Sequence, residues 1–157
     1  MAATQIAEVN HWRGRCLDDF ARAEQSIIRF IERWQEAAAD TAPTLAETAS
    51  ARSRNLIGAL QKHRADSPDA RALVKLLTLW KYREKDRNEL VHGRFTVKSN
   101  EDGWIVINRL ITVKKQVGTV QEELRTQGEA EAFRLAVTNE RKALETALND
   151  FSEFVSA

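Results

Sequence analysis

Near the middle of the chain stands Arg87-Asn88-Glu89-Leu90-Val91-His92-Gly93, a segment whose residue types can carry out acid-base chemistry on a phosphodiester without a cofactor. Cleaving RNA without a metal requires a group that moves protons near neutral pH. It also requires a fixed cation facing the charge that develops on the phosphorus-bound oxygens. Imidazole titrates at roughly pH 6.5 in ordinary surroundings, which suits His92 to take the proton of a ribose 2′-hydroxyl or to give one to the leaving 5′-oxygen. The guanidinium of Arg87 offers a planar fork of donors matched to phosphate oxygens. The product of such an attack is a 2′,3′-cyclic phosphate. DNA, lacking the 2′-hydroxyl, is excluded as a substrate. Glu84, one helical turn before Arg87, is spaced to orient it. Arg83, Lys85 and Arg94 are placed to bind RNA phosphates, or to be solvated charges.

The element that positions these residues is a third helix expected from Pro68 to about His92. Ser67 is a good helix cap, Pro68 suits the first helical position and Asp69 complements the positive end of the helix dipole. Gly93 is expected to turn left-handed and end the helix. The stripe Leu73, Leu77, Trp80, Glu84, Arg87, Val91 turns from apolar to charged while keeping its phase. Charge facing a core is costly, so this change marks either a site or a helix end that projects into water. Five residues along a regular helix turn the direction of a side chain by roughly 140°. Arg87 and His92 therefore meet only if the last turn unwinds toward Gly93 or if two chains face each other.

The rest of the chain reads as support for that helix. Ile6, Val9, Cys16, Phe20, Ile27, Ile31 and Trp34 recur at helical steps from Thr4 to about Ala39, and Asp40-Thr41-Ala42-Pro43 ends that run. A thinner stripe of Leu45, Ala49, Leu56, Leu60 and His63 predicts a second helix. After Gly93 the period changes to two, which predicts a β-hairpin over about 94–115 with its turn at 99–103, Arg109 to Lys115 extending the second strand or forming a third. Thr119-Val120-Gln121-Glu122 has the form of a capping box for a last helix carrying Phe133, Val137, Leu144, Leu148, Phe151 and Val155, which Gly128 interrupts. The expected fold is mainly α: a single domain over 1–157, built as a four-helix bundle with a small β-hairpin between the third and fourth helices. Trp12, Trp34, Trp80 and Trp104 are expected in the core, not as stacking platforms for bases.

Composition narrows the classes. With 157 residues, 43% hydrophobic and 30% charged, and only six Gly and two Pro, the chain is neither disordered nor collagen-like, and it is long enough for a core of its own. Its one cysteine, Cys16, allows no internal disulfide or thiolate cluster, so a reducing cytoplasm is the expected location. No apolar run is long enough for a membrane helix, and no signal peptide is recognised at the N-terminus. The net charge of +1 excludes a general polycation, but eight basic residues face three acidic ones between Arg71 and Lys98. That local excess is what an anion site needs, or the charge of a solvated helix face. Glycine-rich phosphate loops, His-Glu-x-x-His, Cys-x-x-Cys and Gly-x-Ser-x-Gly are all missing. Three histidines on separate segments support no metal site, and no cofactor is expected.

Arg87-Asn88-Glu89-Leu90-Val91-His92 resembles the Arg-x-x-x-x-His signature of the HEPN superfamily, the higher-eukaryote and prokaryote nucleotide-binding domains, many of which are RNases. The resemblance would span essentially the whole chain. It implies a four-helix bundle, catalytic roles for Arg87 and His92, a supporting role for the polar Asn88, and a homodimer that shares one cleft. It further implies a metal-independent endoribonuclease of the toxin or phage-defence kind, restrained by an antitoxin partner, often a nucleotidyltransferase. Two other readings stand beside it: a module of the same fold that binds nucleotide or RNA without cutting, and a helical interaction domain whose hairpin and acidic last helix hold another protein. His92 also has a plainer reading as a cap for the helix C-terminus.

Overall fold

The computed structural model describes residues 2–154. Four helices and a three-stranded antiparallel sheet follow in the order α1 (Ala2–Ala38), α2 (Ala49–His63), α3 (Pro68–His92), β1 (Arg94–Asn100), β2 (Gly103–Lys114), β3 (Val117–Thr126) and α4 (Gln127–Asp150). The chain divides into two compact units. One takes the residues up to Asp19 together with Lys85–Thr138; the other takes Phe20–Glu84 together with the chain from Asn139 onward. Among the described residues no helix is long and apolar enough to cross a membrane.

The second unit is a helical core. Its α1 residues Phe20, Ile27, Phe30, Ile31 and Trp34 are buried with Leu56 and Leu60 of α2, Leu73, Leu77 and Trp80 of α3, and Leu144 and Leu148 of α4. Phe30 lies 5.5 Å from Phe151 and 5.2 Å from Phe154, ring centre to ring centre, so the aromatic cluster closes just beyond the end of α4. Val155, expected on the α4 stripe, lies outside the described residues. The chain leaves α1 through Thr41, whose hydroxyl accepts from Trp34 Nε1 at 3.0 Å and donates to the Ala38 carbonyl at 3.2 Å. Helix α2 begins later than its stripe suggests. Thr48 caps it by accepting from Ala51 N at 3.2 Å, which leaves Leu45 in the preceding loop and exposed. Ser67 caps α3 as expected, 3.0 Å from Ala70 N.

The first unit is built around Trp12. Its ring lies 6.4 Å from Phe95, 6.3 Å from Trp104 and 6.2 Å from Phe133, and its Nε1 donates to the Ala130 carbonyl at 2.7 Å. One α1 residue thus joins β1, β2 and α4. All four tryptophans are buried. Strand order in the sheet is β1-β2-β3, with Val97 opposite Val106 and Ile111 opposite Val120. Trp104, Val106 and Asn108, alternate residues of β2, point inward and are buried.

Three expectations are corrected in this unit. The hairpin over 94–115 is a three-stranded sheet reaching Thr126, and Thr119 to Glu122 lie inside β3, not at a helix start. The capping box is the next Thr-x-x-Glu along the chain: Glu129 N donates to Thr126 Oγ1 at 3.2 Å, and Thr126 N donates to Glu129 Oε2 at 2.8 Å. Gly128 therefore sits in the first turn of α4 and interrupts nothing. The physical reason is that β3 takes its hydrogen bonds from β2, a tertiary supply that local spacing does not reveal. Thr126→Ala is expected to cost about 1 kcal/mol of stability in thermal or urea unfolding. Thr119→Ala, exposed on the strand, should change it by no more than about 0.5 kcal/mol.

The third correction concerns Gly93, which is not left-handed; among the described glycines only Gly103, in the β1–β2 turn, has positive φ, at 130°. Gly93 is required for a different reason. A Cβ there would stand 1.7 Å from Asn108 Oδ1 and 2.5 Å from the Glu89 carbonyl oxygen, so the absent side chain makes room for Asn108.

Candidate functional site

The site segment is the last two turns of α3, and other elements hold it in place. Arg13 of α1 reaches its C-terminus, donating from Nε to the Leu90 carbonyl at 2.6 Å and from Nη2 to the Val91 carbonyl at 3.0 Å, while its guanidinium lies 4.4 Å from the Phe95 ring centre. The Glu89 carbonyl accepts from Gly93 N at 2.9 Å and from Asn108 Nδ2 at 2.9 Å. Leu90 is buried and anchors the turn from below. Carbonyls that a helix leaves free at its C-terminus are thus taken by an arginine, an asparagine and a backbone amide. His92 is exposed, and its imidazole is not needed for capping.

The polar half of the expected stripe is outside the core. Arg87 and Asn88 are exposed and Val91 is 41% exposed, whereas Leu73, Leu77 and Trp80 are buried. The helix stays regular through His92, so the last turn does not unwind and the roughly 140° separation of Arg87 and His92 holds within one chain. Arg94 is exposed at the start of β1, two residues beyond His92. Lys85 is largely exposed and 3.7 Å from Glu89 on the next turn. Arg83 and Glu84 belong to the second unit. There Arg83 makes a bidentate pair with Glu140, 2.8 and 2.7 Å, instead of standing ready for phosphate.

Sequence reasoning missed a pocket of about 400 Å³ lined by Lys85, Asp86, Glu89, Asn108, Leu110, Gln121, Glu122 and Glu123. The carboxylates of Asp86, Glu89 and Glu123 against the one ammonium of Lys85 make it a poor place for an RNA phosphate. Partial burial raises the Glu89 carboxyl above its ordinary range, and a hydrogen bond with Glu123 and the charge of that residue raise it further; Lys85 opposes the shift and Asp86 adds to it. The signal is hidden in the sequence because Glu122 and Glu123 read there as part of a helix start. An acid whose folded-state pKa is raised binds more protons folded than unfolded, so stability falls as pH rises from the ordinary value of 4.5 toward the raised one. Glu89→Gln is therefore expected to flatten the dependence of Tm on pH above the ordinary value of 4.5 and to be the more stable protein at the upper end of that window.

Two further groups offer little chemistry. Cys16 is buried, and burial pushes its thiol up to about 12, with the nearby Asp19 adding to the shift, which removes it as a nucleophile at neutral pH. A smaller pocket, about 160 Å³, has Trp12 and Trp104 among its walls with Glu8, His11, Arg15, Gln127 and Glu131 around it. Glu8 and His11 there form a Glu-x-x-His step, but Glu8 accepts from Trp104 Nε1 at 3.1 Å. Among the described residues no group of three or more His, Cys, Asp or Glu side chains is placed to hold a metal ion. Comparison with protein-family models, with curated proteins and with solved structures returns no match for this chain.

Proposed function

We propose that the protein is a metal-independent endoribonuclease with a HEPN-like four-helix bundle, its site made from Arg87 and His92 with Asn88 in support. The observation that carries this reading is the state of the α3 end: Arg87, Asn88 and His92 are all exposed, while Arg13 and Asn108 take over the structural work of that end. A proton-transferring imidazole and a phosphate-binding fork are thus held on a rigid element, which is what positioned chemistry requires.

In the proposed step an imidazole removes the proton of the ribose 2′-hydroxyl. The 2′-oxygen forms its bond to phosphorus as the bond to the 5′-oxygen breaks, and the leaving oxygen takes up a proton. Arg87 faces the two non-bridging oxygens, where negative charge accumulates. Within one chain Arg87 and His92 diverge, so the site is assigned to a homodimer in which Arg87 of one copy meets His92 of the other. The biological reading is a cytoplasmic toxin or phage-defence nuclease held in check by an antitoxin of the nucleotidyltransferase type. An RNA with methylated 2′-oxygens is expected to resist cleavage completely while still competing for binding. Its cleavage at the rate of the unmodified strand would end this reading.

The same divergence favours a second reading if the protein is a monomer: a module that binds RNA or nucleotide through Arg87 and Arg94 without cutting it.

A further inference from the structure

The sheet shows one face to the core and the other to solvent, and the solvent face does not have the composition of a solvated surface. Strand pairing places Ile105, Ile107, Ile111 and Val113 of β2 on that face with Val120 and Leu124 of β3. Ile111 and Val113 are each 68% exposed, Val120 is 52% and Leu124 is 54%. The distal part of the hairpin alternates apolar and polar residues, the pattern of a strand half-buried against a neighbour, yet among the described residues no neighbour covers its apolar side. A two-stranded ribbon of this kind is marginal on its own in water, and contiguous exposed aliphatic groups mark interaction surfaces.

Charge indicates what kind of partner fits. The β1 flank of the same face carries Arg94 and Lys98, exposed and next to Arg109 and Ile105 in the register. Lys115 stands at the hairpin tip, in a two-residue turn with left-handed φ of 49° and 66° at Lys115 and Gln116. The carboxylate among the strand residues of this face, Glu122, is already 3.4 Å from Arg109. We infer that this face docks an acidic amphipathic helix of another protein, its aliphatic stripe on Ile111, Val113, Val120 and Leu124 and its carboxylates against Arg94 and Lys98. A second copy docking through this same face would bring the same basic flank and no acidic row to meet it. RNA would find no aromatic platform here, since the exposed side chains of this face are aliphatic, polar or charged. The inference is independent of the nuclease reading.

The test uses a fluorescent synthetic helix of about 18 residues, five turns, with leucines on one stripe and glutamates along its flank. One control carries lysine for glutamate and another a scrambled order. The intact protein is expected to bind the glutamate peptide at least about tenfold more tightly than either control. Ile111→Thr with Val120→Thr, which keeps β-branched side chains in the strands, should weaken binding about tenfold with an unchanged far-UV spectrum. Arg94→Gln with Lys98→Gln should abolish the preference for glutamate over lysine and flatten the salt dependence. Equal binding of all three peptides, or no effect of the threonine pair, overturns the inference. So does self-association in light scattering, or binding to RNA or to anionic vesicles, that the threonine pair abolishes, since each of these assigns the face to a different occupant.

Discussion

His92→Ala and Arg87→Ala are each expected to reduce cleavage of a mixed-sequence RNA by 10²- to 10⁴-fold, the usual weight of a positioned acid-base group or charge stabiliser. Neither should change folding stability by more than about 0.5 kcal/mol, because both side chains are exposed and the helix carbonyls are held by Arg13 and Asn108. A His92 that merely capped the helix would behave in the opposite way. Its loss would cost about 1 kcal/mol and leave cleavage intact. Arg13→Ala provides the internal comparison: it removes two hydrogen bonds from a charged donor and should lower stability by at least about 1.5 kcal/mol. Rates and unfolding temperatures for these three variants, measured together, separate chemistry from scaffold.

The second large effect is complementation. If the cleft joins Arg87 of one copy to His92 of the other, mixing the two inactive alanine variants creates heterodimers in which an intact arginine faces an intact histidine. Cleavage by the mixture is then expected to recover at least about tenfold over either variant alone, a partial return of the 10²- to 10⁴-fold loss. Wild type should scatter light as a dimer at the concentrations where it cleaves, and activity should fall faster than linearly on dilution below them. A monomeric, fully active wild type together with a mixture no better than its components would place both residues in one chain, which the regular helix opposes.

The helices were legible in the sequence where local chemistry sets them. Ser67-Pro68-Asp69 starts α3 as read, and Pro43 lies in the loop between α1 and α2. The β region was half legible. Phe95 and Val97 alternate with polar residues and Trp104 to Ile107 form an apolar run, but β3 is almost wholly exposed, and its pattern reports no core. Its turn adds no signal either, since Lys115 and Gln116 take left-handed conformations usually given to Asn and Gly. Two Thr-x-x-Glu steps seven residues apart then competed, and the strand hid the false one. At the candidate site, the Arg-x-x-x-x-His step of Arg87 and His92 can be read in the sequence as a proposal, whereas Arg13 and Asn108, which hold the end of α3, cannot. Both act from other elements on backbone carbonyls of α3, and the need for glycine at position 93 comes from a side chain 15 residues further on. The bidentate partner of Arg83, Glu140, was equally invisible, which is why a residue assigned to RNA is engaged by a carboxylate.

The central claim is that this protein cuts RNA by its own imidazole and guanidinium. The most direct measurement is cleavage of an end-labelled RNA by wild type in excess chelator, with the chemistry of the new ends determined. Undiminished cleavage is expected, with fragments ending in 2′,3′-cyclic phosphate and 5′-hydroxyl groups. Cleavage that stops on adding chelator, or new ends bearing 5′-phosphate and 3′-hydroxyl groups, would contradict it.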